Sequence, residues 1–235
     1  MRPDAVVASL EPDPDRGPIV DLVSVENTHQ VGGGTPWPIE GLRTVHEVVS
    51  GANLPLYMDG IVGSRVFNAS VATGTTVHAY AAEADALMFC PSKGLGAPIG
   101  SMLCGSASFI EEARKTKILL GISWRQAGIT AAAGLVALEE SPKRLHEDHE
   151  HAERLAAAIA EVTPEALDVS RVRTNLLFVD PTPLGLTADE TTARLADAGV
   201  LVNTVGGSVR FVTHRDVSAA DCDTAGAAWR DLARG

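Results

Sequence analysis

An acid, an imidazole and an amine stand in this chain just where apolar runs end. Asp59 closes the run LPLYMD, Glu26-Asn27-Thr28-His29 closes IVDLVSVE and continues past it, and Ser92-Lys93 follows ADALMFC inside the stretch CPSKGLGAPIG. That stretch, Cys90 to Gly100, sets one lysine among three glycines and two prolines. Ordering a long cation in so specified a backbone costs side-chain entropy, so the position asks for a use. If the three runs are neighbouring parallel strands, their C-terminal ends bring carboxylate, imidazole and amine to one sheet edge, the place where open α/β sheets collect chemistry.

An aspartate and a lysine in that arrangement suit pyridoxal phosphate. A lysine amine holds its aldehyde as a Schiff base, and a carboxylate beside the pyridine nitrogen keeps the ring protonated as an electron sink. Asp59 precedes Lys93 by 34 residues, enough for one helical crossover between adjacent strands. Taken alone, the pair would arise by chance in many α/β chains.

The elements needed to position these groups can be read from pattern. The β-branched run at 19–26 reads as a buried strand, THQVGGGTPWP as loop, and IEGLRTVHEVVSGAN as a helix closed by glycine. Strands are expected at 54–59, 84–90 and 100–105, the last antiparallel to the third across a short connection. One helix is expected from Ser108 to Glu140, with AAAGL as a small-residue packing face. Ser141 reads as the N-cap of a further helix that begins at Pro142. RVRTNLLFVD follows as a strand, then a helix closed by Gly199, a hairpin LVNTV-GG-SVRFVTH, and a last helix SAADCDTAGAAWRDLAR. The first half therefore reads as α/β with a mostly parallel sheet and the second as a smaller α+β unit, divided near Ser141 into 1–140 and 141–235.

Bulk properties narrow the partners. The 235 residues are 45% hydrophobic, enough for a sizeable core, and a net charge of −11 disfavours nucleic acid or an anionic membrane. Three cysteines without a CxxC pair argue against a disulfide framework or a zinc site and for the cytoplasm. HEDHEH (146–151), with His146 and His149 three apart, reads as a solvated helix face rather than a metal site, and VGGGT (31–35) as a plain turn rather than a phosphate nest.

Five segments in order, ENTHQVGGG, MDG…RVFNA, SKGLGAPIGS, WRQAGITAAAGLVAL and VRFVTH, resemble the low-specificity threonine aldolases of the aromatic amino acid β-eliminating lyase/threonine aldolase group, from about Leu22 to the C-terminus. The resemblance implies the aspartate-aminotransferase-like fold, pyridoxal 5'-phosphate as cofactor, a homo-oligomer, and cleavage of threonine, allo-threonine or related β-hydroxy-α-amino acids to glycine and an aldehyde. It also implies roles: Lys93 as Schiff-base lysine, Asp59 as partner of the pyridinium, Arg65 near the phenolic oxygen, Arg210 on the substrate carboxylate through its planar fork, and His29 at the β-hydroxyl.

The chain departs from that pattern in three places. Family members carry roughly another third of a chain before ENTH, with the loop that cradles the phosphate, and residues 1–20 offer no substitute. Three extra residues separate Gly60 from Arg65, and GISWRQ stands where the family has GGGMRQ. The expectation is thus an N-terminally shortened lyase, the alternative being an inactive relic or partner subunit.

Overall fold

The computed structural model describes residues 3–10, 20–60, 65–122 and 124–235. Two compact units divide the chain: Met1–Thr28 with Trp37–Pro142, and His29–Pro36 with Lys143–Gly235.

The first unit contains α1 (Pro3–Leu10), β1 (Val23–Glu26), α2 (Ile39–Gly51), β2 (Leu56–Gly60), α3 (Arg65–Thr73), α4 (Val77–Ala82), β3 (Ala86–Phe89), β4 (Met102–Gly105), α5 (Ala107–Leu119) and α6 (Gly128–Glu140). Its sheet runs β1-β2-β3-β4, with the first three strands parallel and β4 antiparallel to β3. This is the mostly parallel α/β sheet that the pattern of apolar runs predicts. The register aligns Glu26 with Asp59 and Asp59 with Met88. Side chains alternate along a strand, so Val23, Val25, Leu56, Met58, Leu87 and Phe89 are buried together while Glu26, Tyr57, Asp59 and Met88 are half-buried on the opposite face. Helix α2 packs on β2 and buries Leu42, Val45 and Val49, one stripe at helical spacing.

Two local expectations fail here for physical reasons. The single helix over 108–140 is two helices. After α5 the chain turns left-handed at Gly121 (φ 72°), whose N–H donates to the Ile118 carbonyl while that of Ile122 donates to Lys117. This pair of bonds is the glycine-terminated helix end, set by a residue without Cβ. Ser141 does not cap a helix through its hydroxyl. It donates to the Leu95 carbonyl at 2.6 Å, residues 141–144 form a 3₁₀ turn, and the next helix starts at Leu145.

The second unit holds α7 (Leu145–Ala160), β5 (Leu176–Val179), α8 (Ala188–Asp197), β6 (Asn203–Val205), β7 (Ser208–Val212) and α9 (Ala219–Arg234). The antiparallel order is β5-β7-β6, and the expected hairpin turns at Gly206 and Gly207, both with positive φ (58° and 83°). Val209 and Phe211 of β7 join Leu177, Val179, Leu155, Ile159 and Trp229 in one core. Trp229 Nε1 donates to Thr163 Oγ1 at 2.7 Å, so the largest core side chain leaves no polar atom stranded. HEDHEH is only partly a solvated face: Asp148 and His149 are buried. The helix turns them inward beside Leu145, Ala152 and Leu155, because this stripe meets the unit's core.

Candidate active site

The C-terminal edge of the parallel strands in the first unit carries the expected acid and amine. Asp59 is half-buried on β2, next to Glu26 of β1 in register. Lys93 is exposed in the connection between β3 and β4. That connection is held at several points. Gly96 N donates to the Lys93 carbonyl at 2.8 Å, Ala97 N to Pro91 at 3.0 Å, and Ser92 Oγ to Gly100 at 3.0 Å. Leu95 is fully buried, and its carbonyl takes the Ser141 hydroxyl. The backbone under Lys93 is therefore fixed while its amine stays accessible.

Cys90 lies one residue past β3 and three before Lys93. Burial pushes its thiol pKa up, the Lys93 ammonium pulls it down and the Asp59 carboxylate raises it again. Both groups thus lie within Coulomb reach of one sulfur. The Tyr57 hydroxyl is likewise raised by burial first and by Asp59 second. Arg65, at the start of α3, is 1% exposed. It donates to Glu26 Oε1 and, at 3.0 Å, to the Thr28 carbonyl, so its charge is spent in part on the β1 carboxylate beside Asp59. The three-residue insertion before it falls on 61–64, outside the described residues, as does Ser123 in GISWRQ.

His29 and Arg210 belong to the second unit. His29 opens a tight loop in which its N–H donates to the Thr35 carbonyl, Gly34 N donates to the His29 carbonyl, and Gly32 N donates to His29 Nδ1 at 2.8 Å. With Nδ1 accepting, the neutral ring carries its proton on Nε2. The glycine amides are consumed inside the loop, which makes it a turn and not a phosphate nest, as the sequence suggests. Arg210 sits in the central strand β7, opposite Phe178 and Asn203. It points away from the core that holds Val209 and Phe211, and its Nε is buried without a hydrogen-bond partner among the described residues. A planar donor group so placed calls for a carboxylate.

Sequence reasoning missed Cys90 as the neighbour of both Asp59 and Lys93, Glu26 as the partner of Arg65, and Ser141 as the anchor of the lysine loop. Cys90 was legible as the residue three before the lysine. The other two depend on contacts 39 and 46 residues apart, which no local pattern carries.

The fold class follows from likeness to solved structures. The chain superposes on aspartate aminotransferase from Thermus thermophilus with a TM-score of 0.72, over 99% of this chain and 60% of that one, at 16% identity. The architecture is therefore aspartate-aminotransferase-like. Residues 1–182 match the Beta-eliminating lyase family, and the chain belongs to it. That match begins at residue 1, ahead of Leu22, where the motif resemblance starts. The chain is 37% identical over 206 residues to low-specificity L-threonine aldolase 1 of Arabidopsis thaliana, covering 87% of this chain and 57% of that protein. It is 37% identical over 231 residues to the low specificity L-threonine aldolase of Escherichia coli (strain K12), covering 97% and 65%. It thus spans less than two thirds of the length of either relative.

Proposed function

We propose that this chain works in a pyridoxal-phosphate-dependent carbon–carbon lyase that cleaves threonine, allo-threonine or a related β-hydroxy-α-amino acid to glycine and an aldehyde. The observation that carries the reading is the parallel edge of β1, β2 and β3, where Asp59 lies in register with Glu26 and Met88 and Lys93 follows β3 in a hydrogen-bonded connection. An acid ending one parallel strand and an accessible amine after the next fit the two ends of the cofactor's ring. When bound, pyridoxal phosphate supplies an electron-withdrawing ring that takes up the electron pair of the broken Cα–Cβ bond.

The chain's own residues take the following parts. Lys93 Nζ would hold the cofactor covalently. Asp59 would accept the hydrogen bond of the protonated ring nitrogen. Arg65, its charge shared by Glu26, would serve the phenolic oxygen. Arg210 grips the substrate carboxylate with two parallel N–H bonds and so orients the bond to be cleaved. His29 would face the β-hydroxyl with Nε2; to take its proton there the ring would need the other tautomer, with the hydrogen on Nδ1, and the Gly32 amide that donates to Nδ1 would have to let go. On this reading residues 1–140 contribute to the cofactor-binding domain and 141–235 to the small domain, with the His29–Pro36 loop belonging to the second unit. The enzyme is cytoplasmic and a homo-oligomer, in keeping with its acidic charge and exposed apolar helix α6. Among the described residues no helix is long and apolar enough to cross a membrane.

The test is chemical. Incubation with pyridoxal phosphate followed by borohydride is expected to fix the cofactor on the peptide containing Lys93, and Lys93→Ala to abolish it. No fixation, or fixation spread over surface lysines, rejects the reading in favour of a catalytically silent chain.

A further inference from the structure

We infer that the dipeptide Thr174-Asn175 is a joint that holds the His29 loop and the Arg210 strand in one rigid frame, which makes both of its members positioning residues. The inference rests on the roles proposed for His29 and Arg210 and concerns the second unit alone.

Asn175 acts on the arginine strand. The ladder between β5 and β7 ends at the pair Leu176 and Val212. Asn175 and Thr213 extend it by one step: Thr213 N donates to the Asn175 carbonyl at 3.0 Å, and Asn175 Nδ2 donates back to the Thr213 carbonyl at 2.9 Å. Thr213 Oγ1 also donates to the Asp148 carbonyl on α7 at 2.5 Å. All three residues are buried. A one-residue slip of a strand moves every side chain to the other face. The side-chain bond from Asn175, which no slipped register can keep, therefore pins the alignment that sends Val209 and Phe211 into the core and Arg210 out of it.

Thr174 acts on the imidazole loop. Its Oγ1 donates to the Gly34 carbonyl at 2.9 Å, with Thr174 itself 1% exposed. Gly34 approaches so closely that a Cβ there would meet Thr174 Oγ1 at 2.7 Å and Leu176 Cβ at 2.9 Å. Gly34 N in turn holds the His29 carbonyl. Consecutive residues thus fasten the two functional side chains of this unit to one strand end.

In the wild-type chain, native-state hydrogen exchange at low denaturant is expected to show one shared opening for the amides of His29, Gly34 and Thr213. Gly34 protected roughly a hundredfold less than Thr213 overturns the joint, whatever the variants do. Acetate titrated against the Nε resonance of Arg210 reads the strand limb: Asn175→Leu is expected to weaken binding about tenfold, since the buried Thr213 carbonyl loses its donor, while Thr213→Val, which keeps both Asn175 bonds to the Thr213 backbone, is expected to leave it unchanged. Thr174→Val is expected to lower Gly34 protection about tenfold, and Thr174→Ser to restore that. Acetate that leaves the wild-type Arg210 signal unmoved overturns the catalytic reading and the joint with it. Binding that survives intact in a folded Asn175→Leu overturns the joint alone. Should Asn175→Leu or Thr174→Val not fold, the wild-type exchange and Thr174→Ser still decide.

Discussion

Asp59, at the end of β2, and Lys93, in the connection after β3, act on the same buried thiol with opposite sign. The β2–β3 register places Asp59 against Met88, two residues before Cys90, and Lys93 follows three residues after it. The acid and the amine that the proposed chemistry requires therefore share a neighbour that reports on both without any cofactor present.

That neighbour makes the arrangement measurable. Asp59→Asn removes a charge that raises the Cys90 pKa, so alkylation by iodoacetamide at neutral pH is expected to speed up. Lys93→Ala removes a charge that lowers it, and alkylation is expected to slow. Each change should be roughly threefold, because only the thiolate reacts and the thiol is already held back by burial. Mass spectrometry of the Cys90 peptide follows the rates. Two variants moving in the same direction would mean that the two charges do not flank this sulfur.

Gly33 and Gly34 offer a matched pair in the His29 loop. Both have left-handed backbones, φ 83° and 73°. A Cβ on Gly33 would meet nothing within 4 Å, whereas on Gly34 it would press on Thr174 and Leu176. Gly33→Ala should cost about 1 kcal/mol, the conformational penalty alone. Gly34→Ala adds overpacking against a buried strand and should cost about 2 kcal/mol more. Urea unfolding of both variants checks the difference; equal losses would show that Gly34 is not in close contact with β5.

Acid stability should carry the mark of His149. Burial, with His146 nearby, lowers its pKa from 6.5 to about 4. Between those values the unfolded chain binds a proton that the folded chain refuses. Its contribution is thus fully present above about pH 6.5 and is lost as the pH falls toward 4, by up to about 3 kcal/mol. Asp148 runs the other way: burial raises its pKa, so the folded chain takes up that proton first and acid relieves it. Unfolding free energy measured from pH 7 to pH 4 should decline less steeply in His149→Gln and more steeply in Asp148→Asn. A slope unchanged in both variants would contradict the burial of this pair.

The sequence carried the sheet well because its signals are local. Apolar runs ending in Asp59 and Glu26, a glycine-glycine turn after Val205 and a crossover of sufficient length between Asp59 and Lys93 were enough to give strand order and the candidate edge. It failed where a local pattern has two physical outcomes. Gly121 follows an apolar run that reads as continuing helix, yet its left-handed backbone ends α5, and with Gln126 also left-handed the next helix starts only at Gly128. Ser141 precedes a proline as a helix cap would, yet the distant Leu95 carbonyl claims its hydroxyl. Asp148 and His149 look like a charged surface until the core of the second unit is in place. The joint at Thr174-Asn175 rests on partners some 140 and 38 residues away, and no spacing rule reaches that far.

Helix α6 predicts self-association. Its sequence, GITAAAGLVALEE, is apolar nearly all round, the composition of a helix buried on every side. Among its residues only Ala137 is buried, while Ile129 is 79% and Leu135 61% exposed. Leu119 and Leu120, at the end of α5, are also exposed, as are Met102 and Leu103 of β4. Soluble monomers rarely leave so much apolar surface in water. The purified chain is therefore expected to run above its monomer mass of 24.5 kDa in light scattering coupled to size exclusion. Ile129→Glu combined with Leu135→Glu should shift it toward the monomer while circular dichroism stays unchanged, because neither side chain supports the fold of the isolated unit. A wild-type preparation that is monodisperse at monomer mass would mean that this helix face tolerates water by itself.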